Sequence, residues 1–531
     1  MNCFCCNVKR ETRGKIYATL IIAMITVLSV LFGVLLFELP WAEAPPILSK
    51  VRDYDGDGNI SSMDKALHVL NMYPVVDGHN DFPFNVRKLF QNQLSKVNFS
   101  SNLSEVEPWA SYSESHTDIP RLRQGHVGGV FWVAYTPCET QGKDSVIQTF
   151  EQIELIHRLV EEYSNDLILV TNAGELGNAK KQGKIASLIG VEGGHSISSS
   201  PAILRTLYRL GARYMTLTHQ CNTPWADSSL VDNKENPMSS SNQNGLSDFG
   251  QELIDEMNRI GMMVDLSHVS EAAMITALNR SVAPVIFSHS GAKAICDHHR
   301  NVADDILLML KENGGIIMIN FYPKFVNCNN SRNATLKDVA DHIDHVRNLI
   351  GAEHVGLGTD YDGVPSTTEG LEDVSKFPDL FVELVDRGWS LKELSKLSFR
   401  NIHRVMRRVE LVRDQLASKN STRTMETVLS NAVVKEKNLT VEIETSGSLR
   451  NLIDKVAETK APESTTNGNM ASSRSPTTIP SLIMSDFTGK LEEDSVIPEE
   501  LNESESESTA AGITTEAIDY LAVDQLDEAK Q

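Results

Sequence analysis

Between residues 75 and 410 the sequence alternates, eight times over, a short apolar run with a longer stretch of other character. The short runs fall at 75–77, 129–135, 185–191, 214–218, 262–266, 284–287, 315–320 and 354–358. Too short for ordinary helices and rich in Val, Ile, Leu and Met, they read as buried strands. Stretches such as 144–163, 201–210, 246–260 and 336–350 space their apolar residues as amphipathic helices do. Strands that alternate with helices pair in parallel, because each helix carries the chain back across the sheet. Eight repeats suit an α/β chain closed into a (β/α)8, TIM-like barrel. A doubly wound open sheet is the alternative. No glycine-rich phosphate loop follows the first strand, which argues against its nucleotide-binding form.

In a barrel of this kind the chemistry gathers at the C-terminal ends of the strands. The first run, VVDGHNDFP, stops at Pro83 and offers His79 and Asp81. Two positions apart on an extended backbone, these side chains leave the same face. Later ends offer Glu192 and His195 in SLIGVEGGH, His219 in YMTLTHQC, His268 in MMVDLSHVS and His289 in PVIFSHS. The last, HVGLGTDYDG, offers Asp360 and Asp362. Taken singly, a His behind an apolar strand is more often a packed structural residue. Its recurrence at strand after strand is what packing alone does not explain. The donors suffice for two ions: His79 and Asp81 on one, His268 and His289 on the other, Glu192 bridging. Two ions about 3.5–4 Å apart can share a hydroxide and polarise a carbonyl. Imidazole and carboxylate without thiolate suit zinc, with manganese and iron left open. His195, behind two glycines, reads as a support behind the ligands or a loop contact rather than a ligand.

The flanks are of another kind. Residues 16–37 carry no charge and, at about 1.5 Å per residue, make a helix about 33 Å long, enough to cross a bilayer. Lys9, Arg10, Arg13 and Lys15 precede that run, and Glu38 and Glu43 follow it. The charge bias keeps residues 1–15 cytoplasmic and puts the rest outside, a single-pass type II signal-anchor. A cleaved signal peptide is the rival, with Ala42-Glu43-Ala44 as its site. The apolar run is long for that, and Pro45 hinders cleavage. Cys3, Cys5 and Cys6 fall on the cytoplasmic side as candidates for palmitoylation. Cys138, Cys221, Cys296 and Cys328 fall outside, an even number that reads as two disulfides. Sequons at Asn98, Asn102, Asn279, Asn329, Asn333, Asn420, Asn438 and Asn502 agree with a glycoprotein of that topology.

Residues 38–74 read as a stalk holding an EF-hand-like loop at 53–64. Asp53, Asp55, Asp57, Asn59, Ser61 and Asp64 occupy the calcium-ligand positions of that loop. Asp64 stands where a bidentate Glu is usual, which weakens the site, and a solvated acidic turn fits the same residues. Residues 411–531 are rich in Ser, Thr, Glu and Asn and read as an acidic, disordered tail. The formal charge of −22 argues against nucleic acid as a partner.

The segments VVDGHND, GGVFWVAYTPC, GVEGGHSI, YMTLTHQCNTPWADS, DLSHVS, PVIFSHS, RNV and GLEDVSKFPDL together resemble the membrane (renal) dipeptidases, over about residues 70–410. The resemblance implies a zinc-dependent amidohydrolase-like barrel. It implies a dinuclear centre on His79, Asp81, Glu192, His268 and His289, the set reached above from position. It further implies that His219 steadies the tetrahedral intermediate, that Arg300 holds the substrate's terminal carboxylate, and that Asp360 shuttles a proton. The disulfides implied are Cys138–Cys221 and Cys296–Cys328. Four features depart from the family: Phe325 stands where a carboxylate-binding Tyr is expected, a signal-anchor replaces a lipid anchor, and the calcium-like loop and the long acidic tail have no counterpart. The function expected is hydrolysis of dipeptides at the cell surface or in a lumen by a metal-bridging hydroxide. A lactone or cyclic amide hydrolase on the same scaffold is one rival, and a receptor or adhesion protein with the barrel as platform is another. Association as a homodimer stays open.

Overall fold

The computed structural model describes residues 60–233, 244–329, 332–419 and 424–426. The expected membrane segment at 16–37, cysteines 3, 5 and 6, calcium-loop residues Asp53, Asp55, Asp57 and Asn59, and tail residues 427–531 lie outside them. Among the described residues no helix is long and apolar enough to cross a membrane.

The strands are β1 (Val75–Asn80), β2 (Val127–Tyr135), β3 (Leu167–Leu169), β4 (Ile185–Glu192), β5 (Ala212–Thr216), β6 (Met263–Asp265), β7 (Ile286–Ser290), β8 (Ile316–Ile319) and β9 (Val355–Leu357). All pair in parallel in the order β2-β1-β9-β8-β7-β6-β5-β4, and a β2–β4 ladder closes the ring. The result is the expected eight-stranded barrel, not an open sheet. The ninth strand, β3, pairs with Ile185–Ser187 of β4, while β5 takes Ile189–Glu192 farther along. Three apolar residues are too few to carry a periodic signal, so β3 is not legible in the sequence.

Period-2 alternation divides each strand between two cores. Val130, Trp132 and Ala134 of β2 face the surrounding helices, and Phe131 faces inward. Ala186 and Leu188 of β4 face inward as well, together with Tyr214, Met263, Ile286, Ile316 and Met318 from other strands. Glu192 has the parity of Ala186 and Leu188, so it emerges on the inner face at the end of β4. The inner core includes Ile402, Val405 and Met406 of the helix Asn401–Ser418. Gly190 is needed for close approach, because a Cβ there would lie 2.2 Å from the Tyr214 ring.

β7 sits later in the sequence than the apolar run at 284–287 suggests. Its last residues, Ser288-His289-Ser290, look like loop but are buried strand. Their polarity is tolerated because it is paired: the Asp265 carboxylate accepts from Ser288 N–H at 2.8 Å and Ser288 Oγ at 2.6 Å.

The folded body also reaches past both expected boundaries. The helix Ser62–Met72 buries Ala66, Val69 and Leu70 in the outer core, so the end of the stalk belongs to the body. Ser61 caps this helix: its hydroxyl accepts from Asp64 N–H at 3.1 Å and donates to Asp64 Oδ2 at 2.7 Å. These two are the described ones among the six candidate calcium ligands. Beyond Ser418, Met425 is buried against the outer core, with its N–H on Glu256 and its carbonyl on Arg205.

Both disulfides join the expected partners, Cys138–Cys221 and Cys296–Cys328. The first ties the segment after β2 to that after β5. The second ties the segment after β7 to that after β8. All four segments lie at the C-terminal end of the barrel.

Leu70→Ala should test whether the helix Ser62–Met72 is integral. Loss of a fully buried leucine costs about 2–5 kcal/mol, so chemical denaturation should show a fall of that order. An unchanged midpoint means that the helix is not part of the cooperative unit.

Candidate metal centre

The strand ends bring Glu192 into the middle of four imidazoles. Its Oε1 lies 3.1 Å from His268 Nε2, 3.4 Å from His289 Nε2, 3.6 Å from His79 Nε2 and 4.0 Å from His219 Nε2. Asp81 Oδ2 lies 3.3 Å from His79 Nε2. Three groups have donor atoms close enough for a shared ion: His79–Glu192–His289, Glu192–His219–His268 and His79–Asp81–Asp360. Glu192 and His79 each belong to two of them. All five expected ligands are buried together, and His219 and Asp360 adjoin them.

Side chains behind the ligands fix which ring nitrogen faces the centre. Tyr214 donates to the Gly78 carbonyl at 3.1 Å, so its oxygen accepts the Nδ1–H of His79, also at 3.1 Å. Ser288 donates to Asp265, so its oxygen accepts the Nδ1–H of His289 at 2.8 Å. Thr216 braces the same aspartate at 2.6 Å. Nε2 of both rings is thereby turned inward. His289 Nε2 lies 2.9 Å from His268 Nε2, and two lone pairs at that distance repel unless a proton or a cation lies between them. Among the described residues, His79 Nε2 and Asp81 Oδ1 are buried without a hydrogen-bond partner. Inward ring nitrogens, unpartnered buried donors and three carboxylates fit a divalent metal.

The electrostatics agree. Burial disfavours charge on His79, but the Glu192 and Asp81 carboxylates outweigh it and push the ring up to about 10. Burial pushes Glu192 up to about 8, with His79 opposing. His268 and His289 are driven well down by burial and by Arg300, so they stand neutral, as ligands must.

Asp360 has a left-handed backbone, φ 66°, which L-residues rarely adopt, and His268 has φ 67°. Asn320 Nδ2 donates to the Asp360 carboxylate at 2.9 Å, and burial raises its pKa to about 6. Gly363 is needed beside it, since a Cβ there would lie 2.3 Å from Asp81 Oδ2 and 2.8 Å from Asp360 Oδ1. Arg300 is buried, with Nη2 donating to the His289 carbonyl at 3.1 Å and Nη1 to Ser290 Oγ at 3.4 Å. Among the described residues its Nε–H has no partner. The guanidinium carbon stands 5.3 Å from the centre of the Phe325 ring. Burial, helped by His195 and Arg300, keeps His219 well below its usual pKa. Its ring lies between Tyr135, edge-on at 4.8 Å, and His268, tilted at 4.5 Å.

Two candidates fall elsewhere. His195 Nε2 lies 2.8 Å from the Thr136 carbonyl and serves as a loop contact. Asp362 is bound by Thr117, by Asn80 and by the His116 backbone, away from the ligands. Sequence reasoning passes over Tyr214, Ser288, Asp265, Asn320 and Tyr135. A buried Asp inside the apolar run MMVDLS is a usable signal for Asp265. Tyr214 carries none, because its role depends on a strand 135 residues from His79.

A family model described as membrane dipeptidase, peptidase family M19, matches residues 63–420. Dipeptidase 3 of Mus musculus is 46% identical over 352 residues, covering 66% of this chain and 68% of that one. Dipeptidase verJ of Clonostachys rogersoniana is 45% identical over 377 residues, covering 69% and 91%. Among solved structures, a Rhodobacter sphaeroides metallo peptidase liganded with a phosphinate mimic of the dipeptide L-Ala-D-Ala superposes with TM-score 0.54 at 22% identity, covering 64% of this chain and 99% of that one. The probable dipeptidase PvdM from Pseudomonas aeruginosa gives TM-score 0.58 at 18% identity, covering 66% and 99%. At such identities these two likenesses speak for the fold alone.

Tyr214→Phe removes the acceptor behind His79 and should weaken divalent-metal affinity about 10–100-fold without unfolding the chain. Competition with a chelator reads this directly. Because His79 and Glu192 hold protons up to about 10 and about 8 in the metal-free site, uptake should release protons. Affinity should therefore climb as pH rises from 6 to 8. Calorimetry in buffers of different ionisation enthalpy checks the sign, and a pH-independent affinity contradicts it.

Proposed function

The chain belongs to the membrane dipeptidase family, peptidase family M19, and from that premise we propose that it hydrolyses dipeptides at a two-zinc centre held by His79, Asp81, Glu192, His268 and His289. The observation that carries the reading is Glu192 Oε1 within 3.6 Å of His79, His268 and His289 Nε2, with Arg300 and Asp360 buried beside them. When bound, the metals supply an activated water and polarise the peptide carbonyl.

The chain's own groups do the rest. Arg300 is immobilised by the end of β7 and takes the substrate's terminal carboxylate, its Nε–H being free. That requirement favours very short peptides, because the scissile bond must lie next to the carboxylate. Neutral His219 donates to the carbonyl oxygen as charge develops on it. Asp360, with its pKa raised to about 6, accepts a proton from the attacking water and delivers it to the leaving amine nitrogen. Asn320 holds that carboxylate in place. The C–O bond forms, the C–N bond breaks, and the proton ends on the amine.

We place residues 75–410 as the catalytic barrel, extended by the flanking helices described above. The uncharged run at 16–37 anchors it as a type II protein with the barrel outside. Exposed sequons at Asn98, Asn279 and Asn333 support that side of the membrane. Glycosidase treatment of the cell-made protein should lower its apparent mass. A protein that is unglycosylated and soluble without detergent argues against the anchor.

Three substitutions separate the roles. Glu192→Gln should lose activity together with metal, because one carboxylate offsets the repulsion of two cations. Asp360→Asn should keep its metals and lose about 10²–10⁴-fold in kcat, the usual worth of general acid–base catalysis. Arg300→Lys should mainly raise KM, since a point charge replaces a planar fork. A near-normal kcat in metal-loaded Asp360→Asn sinks the proton route. Rates on dipeptides set against lactones test the activity itself.

A further inference from the structure

The wall beside Arg300 is aromatic, and one member of it has an uncommitted hydrogen. Phe325 packs against three neighbours: the Arg300 guanidinium, the His298 ring with centroids 4.6 Å apart, and Tyr322 edge-on at 4.9 Å. The disulfide Cys296–Cys328 ties the segment carrying His298 and Arg300 to the segment carrying Phe325, so the stack is braced from both sides. His298 Nδ1 accepts the Arg300 backbone N–H at 3.1 Å. A nitrogen that accepts carries no proton, so a neutral His298 must hold its proton on Nε2. Burial and the nearby Arg300 charge keep the ring neutral, its pKa lowered to about 4. Among the described residues nothing else bonds Nε2. His298 is therefore a neutral donor of fixed tautomer, parked on an aromatic ring that also touches the anion-binding arginine. Phe325 itself has no hydroxyl to offer there.

We propose that His298 is a substrate-binding residue, donating its Nε2–H to the carboxylate end of the substrate beside Arg300. This rests on the dipeptidase reading above, in which Arg300 takes that carboxylate. Neighbouring Lys324 adds positive charge at the same end, and Asp297 is the opposing acid. The ring's tilted packing against Phe325 supplies orientation, so the hydrogen bond costs little side-chain ordering.

The test separates the donor from the stack. His298→Phe keeps an aromatic ring on Phe325 and removes the N–H, while His298→Gln removes the ring and keeps a donor. The probes are a phosphinate dipeptide mimic with a free terminal carboxylate and the same mimic as its terminal amide, titrated calorimetrically into the zinc-loaded full chain. His298→Phe should weaken the carboxylate form about tenfold, the worth of a hydrogen bond to a charged group, and change the amide form less than about twofold. His298→Gln should recover most of the loss. On dipeptide substrates the same loss should appear in KM rather than kcat. Unchanged binding of the carboxylate form to His298→Phe, or equal losses for both forms, overturns the proposal. A native protein that prefers carboxylate to amide through His298 yet cleaves no dipeptide sinks the dipeptidase reading and leaves His298 standing. A native protein that cleaves dipeptides but is indifferent to His298→Phe does the reverse. A native protein that binds neither mimic defeats both.

Discussion

A carboxylate buried among imidazoles is the constraint on which the mouth of the barrel depends. Glu192 is almost wholly removed from water, and an ionised carboxyl in such a place costs several kcal/mol unless opposite charge meets it. In the bare protein the imidazolium of His79 supplies part of that charge, and burial still raises Glu192 to about 8. Around it the outer partners orient the rings so that Nε2 of His79 and of His289 turns inward. Tyr214 and the Ser288–Asp265 pair achieve this from inside the barrel, where Phe131 and Leu188 belong to the same core. A site that holds three carboxylates and several lone pairs against one another is incomplete without cations.

Two hydrophobic cores make that polar arrangement sustainable. The outer core binds strands to helices, and the inner core fills the barrel beneath the site, with residues of the helix Asn401–Ser418. The conflict of buried charge is thus confined to one end. At that end the segments carrying His219 and Arg300 are tethered by the two disulfides. The left-handed residues His268 and Asp360 fall there as well, where surrounding contacts hold a backbone that would otherwise relax.

The ligand positions were legible because barrel geometry converts a linear pattern into a ring. Once eight apolar runs are read as parallel strands, the polar residue after each run must lie at one mouth. The gathering of His79, Asp81, Glu192, His268 and His289 at that mouth follows from this rule, as does that of His219 and Asp360. Arg300 does not, since it lies ten residues beyond the strand end at Ser290 and enters only through the family resemblance. The apolar pattern ends β7 too early, because Ser288-His289-Ser290 looks solvent-facing until Asp265 is known to pair with it. The helix Ser62–Met72 was assigned to a stalk because what secures it is the burial of Ala66, Val69 and Leu70 in the outer core, which no local pattern announces.

Local pattern and period carry the fold class, eight of the nine strands, the candidate metal ligands at their ends and the even set of cysteines beyond residue 37. Each of these depends on residues near in sequence or on a period that repeats. Only the tertiary structure decided which nitrogen of each histidine faces inward, how far β4 must extend to serve β3 and β5, and that His298 shares the Phe325 ring with Arg300. Those facts depend on atoms brought together from distant strands, at separations of a few ångströms that hydrogen bonding and close packing set and that spacing along the chain does not encode.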